Sequence, residues 1–327
     1  MGFNVYVTRL IPRPGIELLE HECETVEVSP HDRPLTREEL LDAVRGRDGI
    51  LCLLTDKIDE DVFKAAEGVK GFANYAVGTD NIDVAKATEY GIPVSNTPGV
   101  LTDATAEMAW ALLFAVARRV VESDKFNRSG KWEGWGPMQF LGGDVTGTTL
   151  GVVGAGRIGT AFAIKSRGFD MNVLYTDVDT NEVLEQTVGA RRTGLDNLLR
   201  ESDFISVHVP LTQDTRHLIS AAELDLMKPT AYLINTSRGP VVDEAALVEA
   251  LRAGTIAGAG LDVYEHEPKL ADGLAELDNV VLTPHTASAT VATRGRMAEM
   301  AAANLLAMMK GEPVPNLVNP EVTRKKT

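Results

Sequence analysis

Residues 149–159 read Thr-Leu-Gly-Val-Val-Gly-Ala-Gly-Arg-Ile-Gly. The apolar run Thr149 to Val153 has the length and composition of a buried strand, and Thr160 to Arg167 continues with helical spacing. Between them lies Gly-x-Gly-x-x-Gly, with glycines at Gly154, Gly156 and Gly159. In a strand–turn–helix setting the first glycine permits a tight turn. The second lets backbone approach a pyrophosphate, and the third lets helix and strand pack closely, so that phosphates rest on the helix N-terminus. The next strand, Met171 to Thr176, ends at Asp177, close to where a carboxylate is needed to hold ribose hydroxyls. These residues predict a Rossmann-type dinucleotide site.

The motif begins nearly halfway along a 327-residue chain, so a second domain must precede it. Strands are expected at Val5–Thr8, Thr25–Val28, Gly49–Leu54, Gly71–Tyr75 and Ile92–Ser95. Helices are expected near Gly15–His21, Arg37–Arg45, Asp59–Glu67 and Asp83–Tyr90. This alternation predicts a parallel sheet covered on both faces. A long helix from Thr102 to Phe126, apolar all round, reads as buried at a domain or subunit boundary. The stretch Arg128 to Asp144, with Trp132, Trp135 and Phe140, reads as a surface loop. Strands resume at Phe204–Val207, Ala231–Asn235, Ala257–Asp262 and Val280–Thr283. A last helix, Thr290 to Met309, is free to return to the N-terminal domain.

Composition narrows the function. A net charge of −15 argues against nucleic acid and anionic membranes. No apolar run approaches a membrane span, and the N-terminus lacks the apolar core of a signal peptide, which predicts a cytoplasmic protein. The two cysteines, Cys23 and Cys52, have no metal-site spacing; Cys52 reads as a core thiol, and no metal is expected.

Ligands of open α/β sheets bind beyond the carboxyl ends of the strands. Those ends carry Asp177, His208, Arg238, Asp262, Glu267 and His285. Arg238, Glu267 and His285 form a set suited to hydride transfer on a 2-keto acid. Arginine pairs with a carboxylate in bidentate fashion. Protonated His285 donates to the C2 oxygen, and Glu267 beside it orients the ring and favours its charged form. His208 and His217 read as structural or as cofactor wall.

These residues closely resemble the D-isomer-specific 2-hydroxyacid dehydrogenase family. The likeness extends over residues 74–83, 98–107, 151–159, 208–212, 235–242, 260–268 and 284–289. Within the family the chain is most similar to glyoxylate and hydroxypyruvate reductases. The resemblance implies two Rossmann-like, flavodoxin-like doubly wound domains with an active-site cleft between them. It implies a discontinuous substrate domain (1–99 and 287–327), a cofactor domain (100–286) and a homodimer built on the latter. It implies that the Val77 and Gly78 amides, helped by Leu53, bind the substrate carboxylate with Arg238. It maps Thr105, Arg157, Ile158, His208, Pro210, Thr215, Thr236, Asp262, His285 and Ala287 to the cofactor, with Asp262 facing the nicotinamide carboxamide.

Two departures stand out. Thr286-Ala287 replaces the family's usual Ile-Gly, and Gln139 stands where related reductases carry a tryptophan. Asp177 would repel a 2′-phosphate, and no Arg or Lys lies between Asp177 and Arg191, so NADH is expected over NADPH. The expected reaction is NADH-dependent reduction of glyoxylate to glycolate and of hydroxypyruvate to D-glycerate. Other D-2-hydroxy acids such as D-lactate, and an NAD-sensing scaffold without turnover, are the alternatives. Phosphoglycerate dehydrogenase is disfavoured by the lack of room for a regulatory domain. Formate and phosphite dehydrogenases place other side chains around the substrate than the mainly backbone Ala76-Val77-Gly78 loop.

Overall fold

A computed structural model of the chain describes residues 2–324. It divides into two compact units, residues 1–101 with 289–327, and residues 102–288.

The first unit is a five-stranded parallel sheet. Its elements run β1 (Asn4–Val7), α1 (Arg13–Glu22), β2 (Thr25–Val28), α2 (Arg37–Ala43), β3 (Gly49–Leu53), α3 (Glu60–Ala65), β4 (Phe72–Tyr75), α4 (Val84–Glu89) and β5 (Val94–Ser95). The order β2-β1-β3-β4-β5 reverses direction between β1 and β3, which makes their carboxyl ends a switch point. Hydrophobic clusters cover both faces of the sheet. That is why β3, Gly-Ile-Leu-Cys-Leu, reads as a continuous apolar run rather than an alternating one.

The second unit runs α5 (Thr102–Ala117), α6 (Val120–Arg128), β6 (Thr149–Val153), α7 (Arg157–Lys165), β7 (Asn172–Thr176), α8 (Glu182–Val188), β8 (Arg191–Arg192), α9 (Leu195–Glu201), β9 (Phe204–Val207), α10 (Ala221–Leu226), β10 (Tyr232–Asn235), α11 (Glu244–Ala253), β11 (Gly258–Leu261) and β12 (Val280–Leu282). Its seven parallel strands are ordered β12-β11-β10-β9-β6-β7-β8, with the switch point between β6 and β9. The chain then forms α12 (Val291–Lys310), which packs against α1 in the first unit, and α13 (Glu321–Arg324).

The long helix expected over 102–126 is two helices. Gly143 returns along the end of α5 and its N–H donates to the Ala117 carbonyl at 2.9 Å. Arg119 then adopts a left-handed φ of 52° before α6 begins. The apolar character of α5 has its cause inside the second unit, where the helix packs on β10, β11 and α7. Trp110 stacks on Phe162 with centroids 4.8 Å apart and donates from Nε1 to the Phe162 carbonyl. The edge strand β8, two exposed arginines, has none of the apolar signal by which strands are read, and it escaped the sequence analysis. Among the described residues no helix is long and apolar enough to cross a membrane.

Candidate active site

Each glycine of the 154–159 turn meets a different environment. Gly154 has φ 93°, and a Cβ there would lie 2.8 Å from the backbone N of Val209, across the switch point. A Cβ at Gly159 would collide with the Gly154 carbonyl, so only glycine lets α7 start this close to the end of β6. At Gly156 a Cβ would meet nothing within 4 Å. No protein packing requires glycine at this N-cap of the nine-residue α7, so the open side of the turn fits a ligand that approaches backbone.

The Asp177 carboxylate accepts from the Ala155 amide (2.6 Å) and from the Val178 amide (2.6 Å), tying the end of β7 to the turn. Asn181 braces the same region. Its Nδ2 donates to the Ala155 carbonyl and to Thr160 Oγ1, both at 2.8 Å, while its Oδ1 caps α8 through the Leu184 amide. Arg192 folds over the turn after β7 and donates to the carbonyls of Asp177 (2.8 Å) and Val178 (2.7 Å), with a weaker bond to Thr180 Oγ1. Neither residue carries a signal in the sequence: Asn181 is an ordinary helix cap until its Nδ2 meets the turn, and Arg192 lies on a strand without apolar residues.

His208 ends β9 with its ring against Phe162, centroids 5.0 Å apart, and its Nε2 bonded to Ser206 Oγ. Burial pushes its pKa down to about 3, so the ring is neutral at physiological pH. Thr215 Oγ1 donates to the Pro210 carbonyl (2.6 Å), which closes the 210–215 turn. Thr236 follows β10, and its buried hydroxyl has no partner among the described residues. Thr105 is buried on α5.

Arg238 lies three residues beyond β10 and donates from Nη1 to the Ser237 carbonyl at 2.9 Å. Asn235 shapes this turn, giving Nδ2 to the Arg238 carbonyl and taking the Ser237 amide and hydroxyl on Oδ1. Gly239 is required by contact, since a Cβ there would collide with the Tyr264 peptide. The turn carrying Arg238 thus seats directly on the loop carrying Glu267.

Glu267 Oε2 lies 2.9 Å from His285 Nδ1, and its Oε1 accepts from the Tyr264 amide (3.1 Å). Burial disfavours a charged Glu267. The His285 hydrogen bond and charge, the Tyr264 amide and the Arg238 cation outweigh that effect and hold the carboxyl below its usual value. Ionised at neutral pH, Glu267 can only accept, so Nδ1 carries the hydrogen and Nε2 is left for other partners.

His285 has a left-handed φ of 53°, an uncommon conformation for a residue with a Cβ. Asp262 maintains it. Wholly buried at the end of β11, Asp262 takes Thr283 Oγ1 (2.6 Å) and the Thr286 amide (2.7 Å) on Oδ1, and the Ala287 amide (2.7 Å) on Oδ2. The His285 amide also donates to the Asp262 carbonyl at 2.8 Å. The turn bearing His285 is therefore wrapped around one carboxylate, a scaffolding task that the sequence analysis did not assign to Asp262.

In the first unit, Leu53 ends β3 and pairs in register with Tyr75 of β4. Its amide is committed to the buried Asp56 carboxylate (2.8 Å), which also takes the Thr8 hydroxyl. The loop after β4 turns its carbonyls onto side chains, Val77 O onto Asn96 Nδ2 (2.7 Å) and Gly78 O onto Asn74 Nδ2 (2.9 Å). The Val77 and Gly78 amides have no acceptor among the described residues, whereas the Leu53 amide is spent within the protein.

Comparison with known proteins agrees with this geometry. Residues 110–287 match the family model described as "D-isomer specific 2-hydroxyacid dehydrogenase, NAD binding domain". A glyoxylate reductase of Thermofilum pendens is 52% identical over 324 residues, covering 98% of this chain and 96% of that protein. The crystal structure of a glyoxylate reductase from Paecilomyes thermophila superposes with a TM-score of 0.86 at 33% identity, covering 98% of this chain and 99% of that one. An NADPH-dependent glyoxylate/hydroxypyruvate reductase from Sinorhizobium meliloti, solved with NADP and malonate, gives a TM-score of 0.85 at 34% identity over 98% of both chains. The chain belongs to the D-isomer-specific 2-hydroxyacid dehydrogenase family, as a nicotinamide-dependent dehydrogenase.

Proposed function

We propose that this enzyme reduces glyoxylate to glycolate and hydroxypyruvate to D-glycerate, with NADH preferred and His285 as general acid. The observation that carries the reading is the His285 Nδ1–Glu267 Oε2 hydrogen bond, beside an arginine whose charge acts on the same carboxylate. Similarity to named glyoxylate reductases supports the substrate class.

The residues that would hold the cofactor are those of the 154–159 turn, Asp177, His208, Pro210, Thr215 and Thr236, with Thr105 and Ala287 as further contacts. The bound nicotinamide supplies the hydride. His285, protonated on both nitrogens and held through Nδ1, gives its Nε2 proton to the carbonyl oxygen of the 2-keto acid; in the reverse direction neutral Nε2 takes it back. Glu267 orients the ring and favours the imidazolium. Arg238 binds the substrate carboxylate, because a guanidinium fork matches it. In the first unit, the unengaged amides of Val77 and Gly78 are anion donors suited to the same chemical class, and on this reading residues 1–99 and 287–327 form the substrate domain. Asp262 fixes Thr286 and Ala287, and its Oδ2, which takes the Ala287 amide alone among the described residues, keeps a lone pair for the nicotinamide carboxamide.

NADH preference rests on the Asp177 carboxylate and on Arg192. Arg192 spends most of its donors on the Asp177 and Val178 carbonyls and on Thr180, which leaves little for a 2′-phosphate. A homodimer is supported by the exposed apolar side chains Val120, Val121, Trp132, Trp135, Met138 and Leu141 in the second unit. The deciding experiment follows loss of dihydronicotinamide absorbance with glyoxylate, hydroxypyruvate, pyruvate and a bulkier 2-keto acid, each with NADH and NADPH. Higher kcat/KM for glyoxylate with NADH is expected. Preference for a bulkier acid overturns the substrate assignment, and absence of turnover with all four overturns the reductase reading.

A further inference from the structure

Glu244 is the first residue of α11, following the helix cap Asp243, whose carboxylate accepts the Ala246 amide. A glutamate there would ordinarily face solvent at the positive end of the helix. Instead it is 5% exposed, and its carboxylate points away from its own helix. One oxygen accepts the Glu265 amide at 2.7 Å and the other the Ala271 amide at 2.9 Å. The two donors lie on either side of Glu267. A buried carboxylate is costly unless its hydrogen bonds are made, and these are charge-assisted.

The loop is anchored from a second side. Glu265, itself largely buried, accepts from His217 Nε2 at 2.7 Å and from Arg216 at 3.4 Å. Asp243 Oδ2 lies 4.0 Å from His217 Nδ1. The charged and titratable groups facing this loop are therefore Arg216, His217, Asp243 and Glu244 at its base, Tyr264 at its start, His266 and Lys269 within it, and Arg238 and His285 around Glu267.

We propose that Glu244 is a positioning residue for the reaction, a buried carboxylate clamp that spans residues 265–271 and sets the place at which Glu267 meets His285. It contacts neither substrate nor cofactor. Without it, two N–H groups lose their acceptor and the loop can settle with Glu267 away from Nδ1. The ring then loses its fixed orientation. The inference rests on the proposed role of the His285–Glu267 pair, and the test separates the two.

The test uses the full-length enzyme and the isosteric variant Glu244→Gln. Cofactor affinity is read by protein fluorescence, kcat and KM by keto-acid reduction, and the pH profile of kcat/KM across the acid-to-neutral range. The expected result is a fall of about tenfold in kcat, cofactor affinity within about twofold of the parent, and an acid limb of the profile displaced to higher pH, because Glu267 loses the His285 contact that holds its carboxyl low. The same substitution in a Glu267→Gln background is expected to cost less than about twofold, because residues acting through one contact are not additive. Glu244→Asp, which keeps the charge and both acceptors, is expected to recover part of the loss, and it serves alone if Glu244→Gln does not fold. Parental kcat and pH profile in Glu244→Gln overturn the inference, as does a loss of equal size with and without Glu267. His285→Ala serves as the control: if that variant turns over normally, the general-acid reading itself has failed.

Discussion

His285 and Glu267 are held 2.9 Å apart by two separate turns that meet only in the folded chain. One turn is wrapped around Asp262, the other is seated against Gly239 and Glu244. Because Glu267 is held in its ionised form, the acid side of the pH–activity profile should report its protonation. Its folded-state value is lowered, so the stabilisation it lends is complete above the ordinary glutamate range and is lost as pH falls through that lowered value.

Replacing His285 with Ala should lower kcat by roughly 10²- to 10⁴-fold, the usual contribution of a positioned acid. NADH affinity should change little. Glu267→Gln should cost less, about 10- to 100-fold, since the His285 ring loses the carboxylate that orients it. Steady-state kinetics across pH with fluorescence titration of NADH reads all three. Near-parental turnover in His285→Ala would remove it as the acid.

Asp177→Ser should weaken discrimination against NADPH. The substitution removes the carboxylate that would repel a 2′-phosphate and loosens the bonds to the Ala155 and Val178 amides. The ratio of kcat/KM for NADH over NADPH should fall about tenfold or more, corresponding to about 1.4 kcal/mol. An additional Arg192→Ala change should not favour NADPH further, because Arg192 holds backbone carbonyls. An unchanged ratio in Asp177→Ser would mean that another group sets the preference.

Most strands and the glycine turn were legible because both are local: a βαβ series repeats apolar runs at regular spacing, and three glycines at fixed offsets have few other uses. Arg238, Glu267 and His285 were found by asking what stands at strand ends, and Glu267 and His285 are in contact. Most of what escaped reading depends on partners far away in sequence. The end of α5 is made by Gly143, a residue beyond α6. Glu244 looks like an ordinary helix-start acid until the 265–271 loop folds onto it. Asp262 reads as a ligand-facing aspartate, and that its oxygens also receive the turn that follows β12 is not marked in the sequence. The Leu53 amide is lost to Asp56 three residues later, a local hydrogen bond that no periodicity marks.

The glycines of the turn can be separated by experiment. Gly156→Ala places a methyl in open space, so the fold should keep its melting temperature within a few degrees while cofactor affinity falls about tenfold or more. Gly159→Ala drives a methyl into the Gly154 carbonyl and should instead destabilise the protein by about 1–3 kcal/mol. Thermal melts with and without NADH distinguish the two. Loss of stability in Gly156→Ala would mean that its glycine serves packing rather than a ligand.

His208 gives a stability signature independent of catalysis. Its folded-state pKa, pushed down to about 3 by burial, lies below the unfolded value, so between these limits the unfolded chain binds a proton that the folded chain does not. Stability must therefore fall as pH drops through the ordinary histidine range, by about 1.4 kcal/mol per pH unit from this residue alone. The loss continues until pH nears the folded value. His208→Gln, which cannot protonate there, should be less stable than the parent at pH about 7.5 through lost packing on Phe162, and should close part of that gap at pH about 5. Denaturant midpoints at the two pH values measure the difference. A gap that stays constant would show that the ring is protonated in the folded protein, and the neutral wall beside the dinucleotide turn would then have to be a charged one.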